Sequence, residues 1–174
     1  MVDQIQTNTI PHEKAGTGAM QHMNEEYQGL LKEFGLRGWY PPFLEFLGIT
    51  IEPMDANSLC IKLAMREEFR GYPGDGALHG GVISAMLDII GGTVVAWKML
   101  KEMEGQPLQV LAKKFKNMST VDLRVDYLRP GEGKMFTATA SVLRSGRKLA
   151  VTRMELHNEK QCLIAVGTGI YTVG

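Results

Sequence analysis

The chain has 174 residues, 44% hydrophobic and 22% charged, which suits a single globular domain with one core. Lysine plus arginine and aspartate plus glutamate are both 19, so the net charge is zero and gives no support for nucleic-acid binding. No apolar run is as long as a membrane span requires, and the N-terminal MVDQIQTNTIPHEKAG lacks the apolar core of a signal sequence, so we expect a cytoplasmic protein with no membrane span.

The N-terminal part is expected to hold a lead-in and then helices. Residues 1–16 are predicted to be disordered, and residues 17–174 to form one domain. Thr17 is expected to cap a helix that runs to about Phe34, because apolar residues recur there at helical spacing. A short helix follows the proline pair and ends at Gly48.

The middle of the chain predicts two strands and one long helix. The strands cover residues 49–54 and 59–65, and a loop rich in glycine and proline, EEFRGYPGDGA, follows them. From about Gly80 to Met103 the spacing is helical and strongly apolar, which predicts a buried helix. Residues 104–117, EGQPLQVLAKKFKN, are expected to be an irregular basic connection.

The C-terminal part predicts a run of antiparallel strands. STVDLRVDYLRPG alternates, so that Val121, Leu123, Val125 and Tyr127 are expected to face inward and Thr120 outward. KMFTATASVLRSG and RKLAVTRMELHNEKQ are expected to form a hairpin, and CLIAVGTGIYTVG the last strand. The element order favours an α+β fold, a curved antiparallel sheet wrapped around a long central helix, with an extra N-terminal helix.

The stretch LHGGVISAMLDIIGG carries the candidate chemistry. Gly80 and Gly81 fall in the first helical turn, where free backbone N–H groups and the helix dipole could stabilise a developing oxyanion, or where glycine simply permits a tight entry. Asp88 lies among apolar neighbours and is either a structural carboxylate or a nucleophile or general base. His79, just before the helix, is expected to orient the loop backbone, with proton transfer as the alternative.

Helix geometry predicts that a catalytic site of this kind is shared between two chains. Nine residues of helix separate His79 from Asp88 by roughly 13 Å along the axis and place them on opposite sides. One chain therefore cannot easily bring Asp88 beside its own Gly80 and Gly81 amides, whereas two helices side by side across a two-fold axis could. The motif, if catalytic, predicts a dimer with composite sites.

Basic residues in loops are candidates for binding substrate phosphates. Arg129 precedes Pro130 and Gly131 at a strand end, and Arg144 and Arg147 flank Gly146 at the predicted hairpin turn. Most such charges are merely solvated surface. The cysteines, Cys60 and Cys162, lack any metal-ligand spacing and are expected to be reduced, and no metal site is predicted.

Taken together, four segments resemble the hotdog-fold acyl-CoA thioesterases of the PaaI type, nearest the bacterial branch that acts on medium- and long-chain acyl-CoA. These segments are LHGGVISAMLDIIGG, STVDLRVDYLRPG, FTATASVLRSGRKLAVTRMELHNE and YTVG. The resemblance implies a homodimer, often paired into a homotetramer, that hydrolyses acyl-CoA without a metal or redox cofactor, CoA being part of the substrate. It assigns Asp88 as nucleophile or general base, and Gly80 and possibly Gly81 to the thioester carbonyl.

One position departs from the family pattern. Many PaaI-type members carry asparagine or glutamine six residues before the histidine, where this chain has Pro73, which offers no side-chain donor. A Ser or Thr helper beyond the aspartate has no position that the sequence identifies. Two alternatives stay open: a hotdog dehydratase or hydratase, which the His79-Gly80-Gly81 setting does not favour, and a non-catalytic acyl-CoA or lipid binder. Acyl carrier protein could also replace CoA.

Overall fold

The structure, a computed structural model, describes residues 42–53, 58–71, 76–103 and 107–173. The predicted disordered lead-in and the helix predicted over residues 17–34 lie outside these ranges. In chain order the helices and strands are α1 (Pro42–Leu47), β1 (Thr50–Pro53), β2 (Ser58–Ala64), α2 (Gly80–Glu102), α3 (Leu108–Lys116), β3 (Thr120–Tyr127), β4 (Met135–Ser145), β5 (Leu149–Asn158) and β6 (Leu163–Thr172).

One six-stranded antiparallel sheet carries the fold, with the strand order β1-β2-β4-β5-β6-β3. The predicted hairpin between β4 and β5 is confirmed, and its turn is closed by the Gly146 N–H, which donates to the Leu149 carbonyl at 2.8 Å. The helix α2 packs against five of the strands. The predicted α+β arrangement, an antiparallel sheet around one long helix, is confirmed.

The core lies between α2 and the sheet. By length and composition α2 could cross a membrane, contrary to the expectation from the sequence, but it packs against the sheet as a core helix, and eleven of its 23 residues are buried. Within α2, Gly91 is required by a close approach: a Cβ there would overlap the hydroxyl of Tyr171 on β6. The glycine therefore admits an aromatic side chain of the sheet against the helix backbone.

The prediction of an irregular connection at residues 104–117 is wrong for its second half. Residues 108–116 form the helix α3, which begins after Pro107 and ends at Asn117. Phe115 is buried, whereas Lys113, Lys114 and Lys116 are exposed. The lysines thus mark the solvent face of an amphipathic helix.

The prediction for β3 is wrong at its first two residues because the strand contains a register shift. Thr120 pairs with Tyr171, yet Asp122 pairs with Ile170, so Val121 is an extra residue opposite no partner. Directly opposed residues share a face of an antiparallel pair, and Thr120 therefore lies on the inner face with Tyr171. Val121 is 55% exposed, contrary to its predicted inward position.

Candidate active site

The carboxylate of Asp88 lies halfway along α2 and is held by two hydroxyl groups of the sheet. The Thr120 hydroxyl donates to Asp88 Oδ1 at 2.9 Å. The Tyr171 hydroxyl lies 3.1 Å from the Asp88 carbonyl oxygen and 3.4 Å from Oδ1. Burial, and then the neighbouring Asp88 carboxylate, raise the pKa of Tyr171 above its usual range. The phenol therefore stays protonated as a donor, and Oδ2 has no partner among the described residues.

The β3 register shift and the Gly91 contact together position these two donors. Because Thr120 and Tyr171 are paired across β3 and β6, their side chains reach α2 from neighbouring points. Tyr171 is 2% exposed and approaches α2 closely because Gly91 has no side chain. The orientation of the carboxylate thus depends on the packing of helix against sheet.

A cavity of about 270 Å³ opens beside Asp88. Its polar lining near the carboxylate includes Thr120 and Tyr171, and the apolar lining comes from three helices and the segment after α3. The described residues that line it are Leu44, Asp88, Ile89, Gly92, Thr93, Phe115, Met118, Ser119, Thr120 and Tyr171. A mainly apolar cavity with a few convergent polar groups is the usual form of a small-molecule site.

His79 caps the N-terminus of α2. Its ring Nδ1 accepts a hydrogen bond from the Gly81 backbone N–H at 2.9 Å, and the backbone N–H of His79 donates to the Phe69 carbonyl at 2.7 Å. An accepting Nδ1 carries no proton, so the ring proton is on Nε2. The ring therefore holds the first helical turn. Its expected role in orienting the 72–78 turn stays a prediction, because residues 72–75, which include Pro73, lie outside the described ranges.

The two glycines differ in whether their backbone N–H groups already have an acceptor. The Gly81 N–H is already occupied by His79, whereas the Gly80 N–H donates to no acceptor within the described ranges. The Gly80 carbonyl accepts from the Ser84 hydroxyl at 3.0 Å and from the Tyr127 hydroxyl at 3.2 Å. A free N–H at a helix N-terminus is a potential donor to a carbonyl oxygen.

Within one chain the structure does not bring Asp88 and the glycines together. The described residues that line the cavity beside Asp88 do not include Gly80, Gly81 or His79. Thr120, which contacts Asp88, begins β3, and Tyr127, which contacts Gly80, ends it. The two halves of the predicted site are therefore at opposite ends of the same strand.

The predicted phosphate-binding residues fall into two groups at opposite ends of the sheet. Arg129 donates to the Leu163 carbonyl at 2.8 Å, at the beginning of β6. Arg144, Gly146 and Arg147 are exposed around the β4–β5 turn, where Leu149 pairs with the end of β6. One chain alone does not bring all six residues to one place.

Pro130 and Gly131 differ in their surroundings. Pro130 is exposed, whereas Gly131 is buried and its carbonyl accepts from the Leu78 N–H at 2.8 Å. A Cβ on Gly131 would lie 2.8 Å from the Leu78 Cβ. Gly131 therefore packs against the segment that leads into His79.

The sequence is similar to known thioesterases. Residues 75–165 match the family model of the thioesterase superfamily. The medium/long-chain acyl-CoA thioesterase YigI of Escherichia coli strain K12 is 41% identical over 136 residues, which cover 78% of this chain and 88% of the relative. The chain belongs to the thioesterase superfamily, and the predicted class of enzyme, a thioester hydrolase, is confirmed.

Solved structures support the same assignment. A Shewanella oneidensis protein related to the thioesterase superfamily has a TM-score of 0.76 and 36% identity, with 85% of this chain and 98% of that chain covered. A candidate thioesterase from Syntrophus aciditrophicus has a TM-score of 0.70 and 30% identity, with 86% and 99% covered. The resemblance to hotdog-fold thioesterases is therefore confirmed.

Proposed function

We propose that this thioesterase hydrolyses medium- and long-chain acyl-CoA to a free fatty acid and CoA in the cytoplasm. The observation that carries the proposal is a carboxylate, Asp88, fixed by two hydroxyls at the polar edge of an apolar cavity. The E. coli relative is a medium/long-chain acyl-CoA thioesterase and supports the same substrate class. Hydrolysis changes no oxidation state and Asp88 is proposed to activate the water, so the proposed reaction uses no metal or redox cofactor, and CoA is part of the substrate.

Asp88 acts on the thioester carbonyl carbon, either as general base or as nucleophile. As a base, its free oxygen takes a proton from water while the water oxygen attacks the carbonyl carbon, the C–S bond breaks, and the CoA thiolate leaves and takes up a proton. As a nucleophile, the carboxylate attacks the carbonyl carbon, the C–S bond breaks and the CoA thiolate leaves; water then hydrolyses the resulting anhydride to the free fatty acid and the Asp88 carboxylate. In both routes the Gly80 N–H donates to the carbonyl oxygen as negative charge develops on it.

The site is proposed to form between two chains that pair through β3. In the described part of the chain, β3 hydrogen-bonds to a neighbouring strand on one side only, so its other edge is available to a second copy. Antiparallel pairing about a two-fold axis at the centre of β3, between Leu123 and Arg124, would bring Thr120 of one chain opposite Tyr127 of the partner subunit. Since Thr120 contacts Asp88 and Tyr127 contacts Gly80, this pairing juxtaposes Asp88 with Gly80 of the partner subunit.

The same pairing supports a composite CoA site. It turns the Arg129 end of one sheet toward the partner's β4–β5 turn, where Arg144 and Arg147 are exposed. Arg129 of one chain and the two arginines of the partner's turn are proposed to bind the CoA phosphates. In a single chain these arginines lie at opposite ends of the sheet and could not bind one CoA molecule together. Pairing of two such dimers into a homotetramer is proposed from the family resemblance.

The test measures thiol release from acyl-CoA with three variants. Asp88→Asn is expected to lower kcat/KM by at least ~100-fold. Gly80→Pro removes the free N–H and adds the proline ring, at a first-turn position that proline tolerates, and is expected to lower kcat/KM by roughly 100- to 1,000-fold. Gly80→Ala keeps the N–H, and a Cβ there would make only ordinary contact with Tyr127 at 3.6 Å, so it should remain active. Turnover that is indifferent to Asp88 would refute the mechanism.

Mixed dimers test whether the site is shared. When Asp88→Asn and Gly80→Pro chains are co-expressed, half of the dimers are mixed, and each mixed dimer has one composite site with both defects and one intact site. About a quarter of wild-type activity should therefore return, although each variant alone is nearly inactive. No recovery, with mixed dimers demonstrated by differential tags, would place both groups in one chain.

A further inference from the structure

The second glycine of the Gly91-Gly92 pair is not explained by close packing. A Cβ on Gly91 would collide with Tyr171. A Cβ on Gly92 would meet the Tyr171 ring at 3.5 Å, in ordinary contact, and no other heavy atom of the described residues beyond the local helix backbone within 4 Å. Glycine in the middle of a helix costs roughly 1 kcal/mol relative to alanine. Core packing alone would therefore favour alanine or a larger side chain at position 92.

Gly92 does, however, line the cavity beside Asp88. It lies one helical turn after the carboxylate, and Met118 contributes to the apolar lining of the same cavity. The missing side chain therefore leaves empty volume along the route that an acyl chain would take away from Asp88. We propose that Gly92 determines acyl-chain length: its lack of a side chain keeps the cavity deep enough for medium and long chains.

This inference rests on the proposed function, and the cavity volume predicts how strongly a side chain at position 92 should lower the affinity for long acyl chains. If a methylene occupies roughly the 30 Å³ of a liquid water, the cavity of 270 Å³ holds about nine methylene groups. The four carbons of a leucine side chain at position 92 would remove about four of them. Each methylene kept out of an apolar pocket costs about fourfold in affinity, so four lost contacts cost on the order of 200-fold.

The experiment compares kcat/KM across saturated acyl-CoAs from C4 to C16 for wild type and three variants. Gly92→Leu should lower kcat/KM for C12 by on the order of 200-fold relative to C6, because the distal part of the chain is displaced. Gly92→Ala, which also raises helix propensity but adds one methyl group, should shift the profile by at most about one carbon. Met118→Ala, which removes three atoms from the cavity wall, should shift the profile toward longer chains.

The outcomes separate this inference from the proposed function. A wild-type protein that hydrolyses no acyl-CoA overturns both. If wild type is active, a folded Gly92→Leu variant with an unchanged profile, or with the same loss at every chain length, overturns the assignment of Gly92 alone. If Gly92→Leu does not fold, Met118→Ala tests whether the cavity beside Asp88 holds the acyl chain. A shift of the profile toward longer chains supports this assignment of the cavity, and an unchanged profile overturns it together with the role of Gly92.

Discussion

Replacement of Gly91 by alanine should destabilise the protein, although the same change stabilises most helices. In an unconstrained helix interior, Gly→Ala is worth about 1 kcal/mol of stability. Here the new Cβ would overlap the Tyr171 hydroxyl and lie 2.9 Å from Tyr171 Cζ and 3.1 Å from Met154 Sδ. Tyr171 is 2% exposed and Met154 fully buried, so neither side chain can move freely into solvent.

Two costs oppose the gain in helix propensity. Overpacking of a core costs about 1–3 kcal/mol, and moving Tyr171 away from the Asp88 carbonyl leaves buried hydrogen-bonding groups unpaired, at about 1–3 kcal/mol. After the propensity gain, the net loss is about 3 kcal/mol. For a chain of this size, Tm should fall by roughly 6–12 °C.

The matched control is Gly92→Ala, whose Cβ would make ordinary contact and which should raise Tm by roughly 2–4 °C. Thermal and urea denaturation followed by circular dichroism would measure both variants. Tyr171→Phe removes the colliding hydroxyl, so Gly91→Ala and Tyr171→Phe together should cost at least ~1 kcal/mol less than their sum. A Gly91→Ala variant as stable as Gly92→Ala would refute this account of the glycine pair.

The remaining predictions concern Thr120, His79 and Cys60. Thr120→Val should lower kcat/KM by roughly 10- to 100-fold, the value of a hydrogen bond to a charged group, whereas Thr120→Ser should restore most of it. His79→Ala should lower the free energy of unfolding by about 1 kcal/mol, measured in urea, whereas His79→Asn, which can also cap, should not. Burial raises the pKa of the Cys60 thiol to about 11, so in native protein at pH 8 a disulfide reagent should modify Cys162 and spare Cys60. Because the pKa of Cys60 in the folded protein lies above the ordinary thiol value of 9.0, the free energy of unfolding should decline as pH rises from 9 to 11, and Cys60→Ala should remove that decline.

The elements that the sequence predicts well are those defined by local periodicity. The helix predicted from Gly80 to Met103 is observed as Gly80–Glu102, and the β4–β5 hairpin follows from its turn residues. The sequence does not predict the helix α3, because its lysines and short length resemble a solvated loop. Among the α3 side chains that the structure describes, Phe115 alone is buried, so its apolar face becomes evident from packing.

The candidate site was predictable only where its residues are close in sequence. Asp88 and the His79-Gly80-Gly81 turn are within one helix, and their residue types are unusual for a buried helix. Thr120 and Tyr171 are 32 and 83 residues from Asp88, and their contact with it depends on the pairing of β3 with β6. For Thr120 the alternating pattern even predicts the wrong face, since one extra residue reverses the alternation.

Because of the extra residue Val121, β3 cannot both pair regularly along its whole length and direct Thr120 toward Asp88. A regular β3 that keeps Val121 would pair Val121 with Tyr171 and turn this exposed apolar side chain toward the core, and such uninterrupted pairing favours folding. It would also turn Thr120 to the opposite face, away from the carboxylate. We therefore expect the irregular strand to persist only in lineages that use the carboxylate. Relatives that have lost the aspartate should more often show a regular β3, and a comparison of their structures would reveal it.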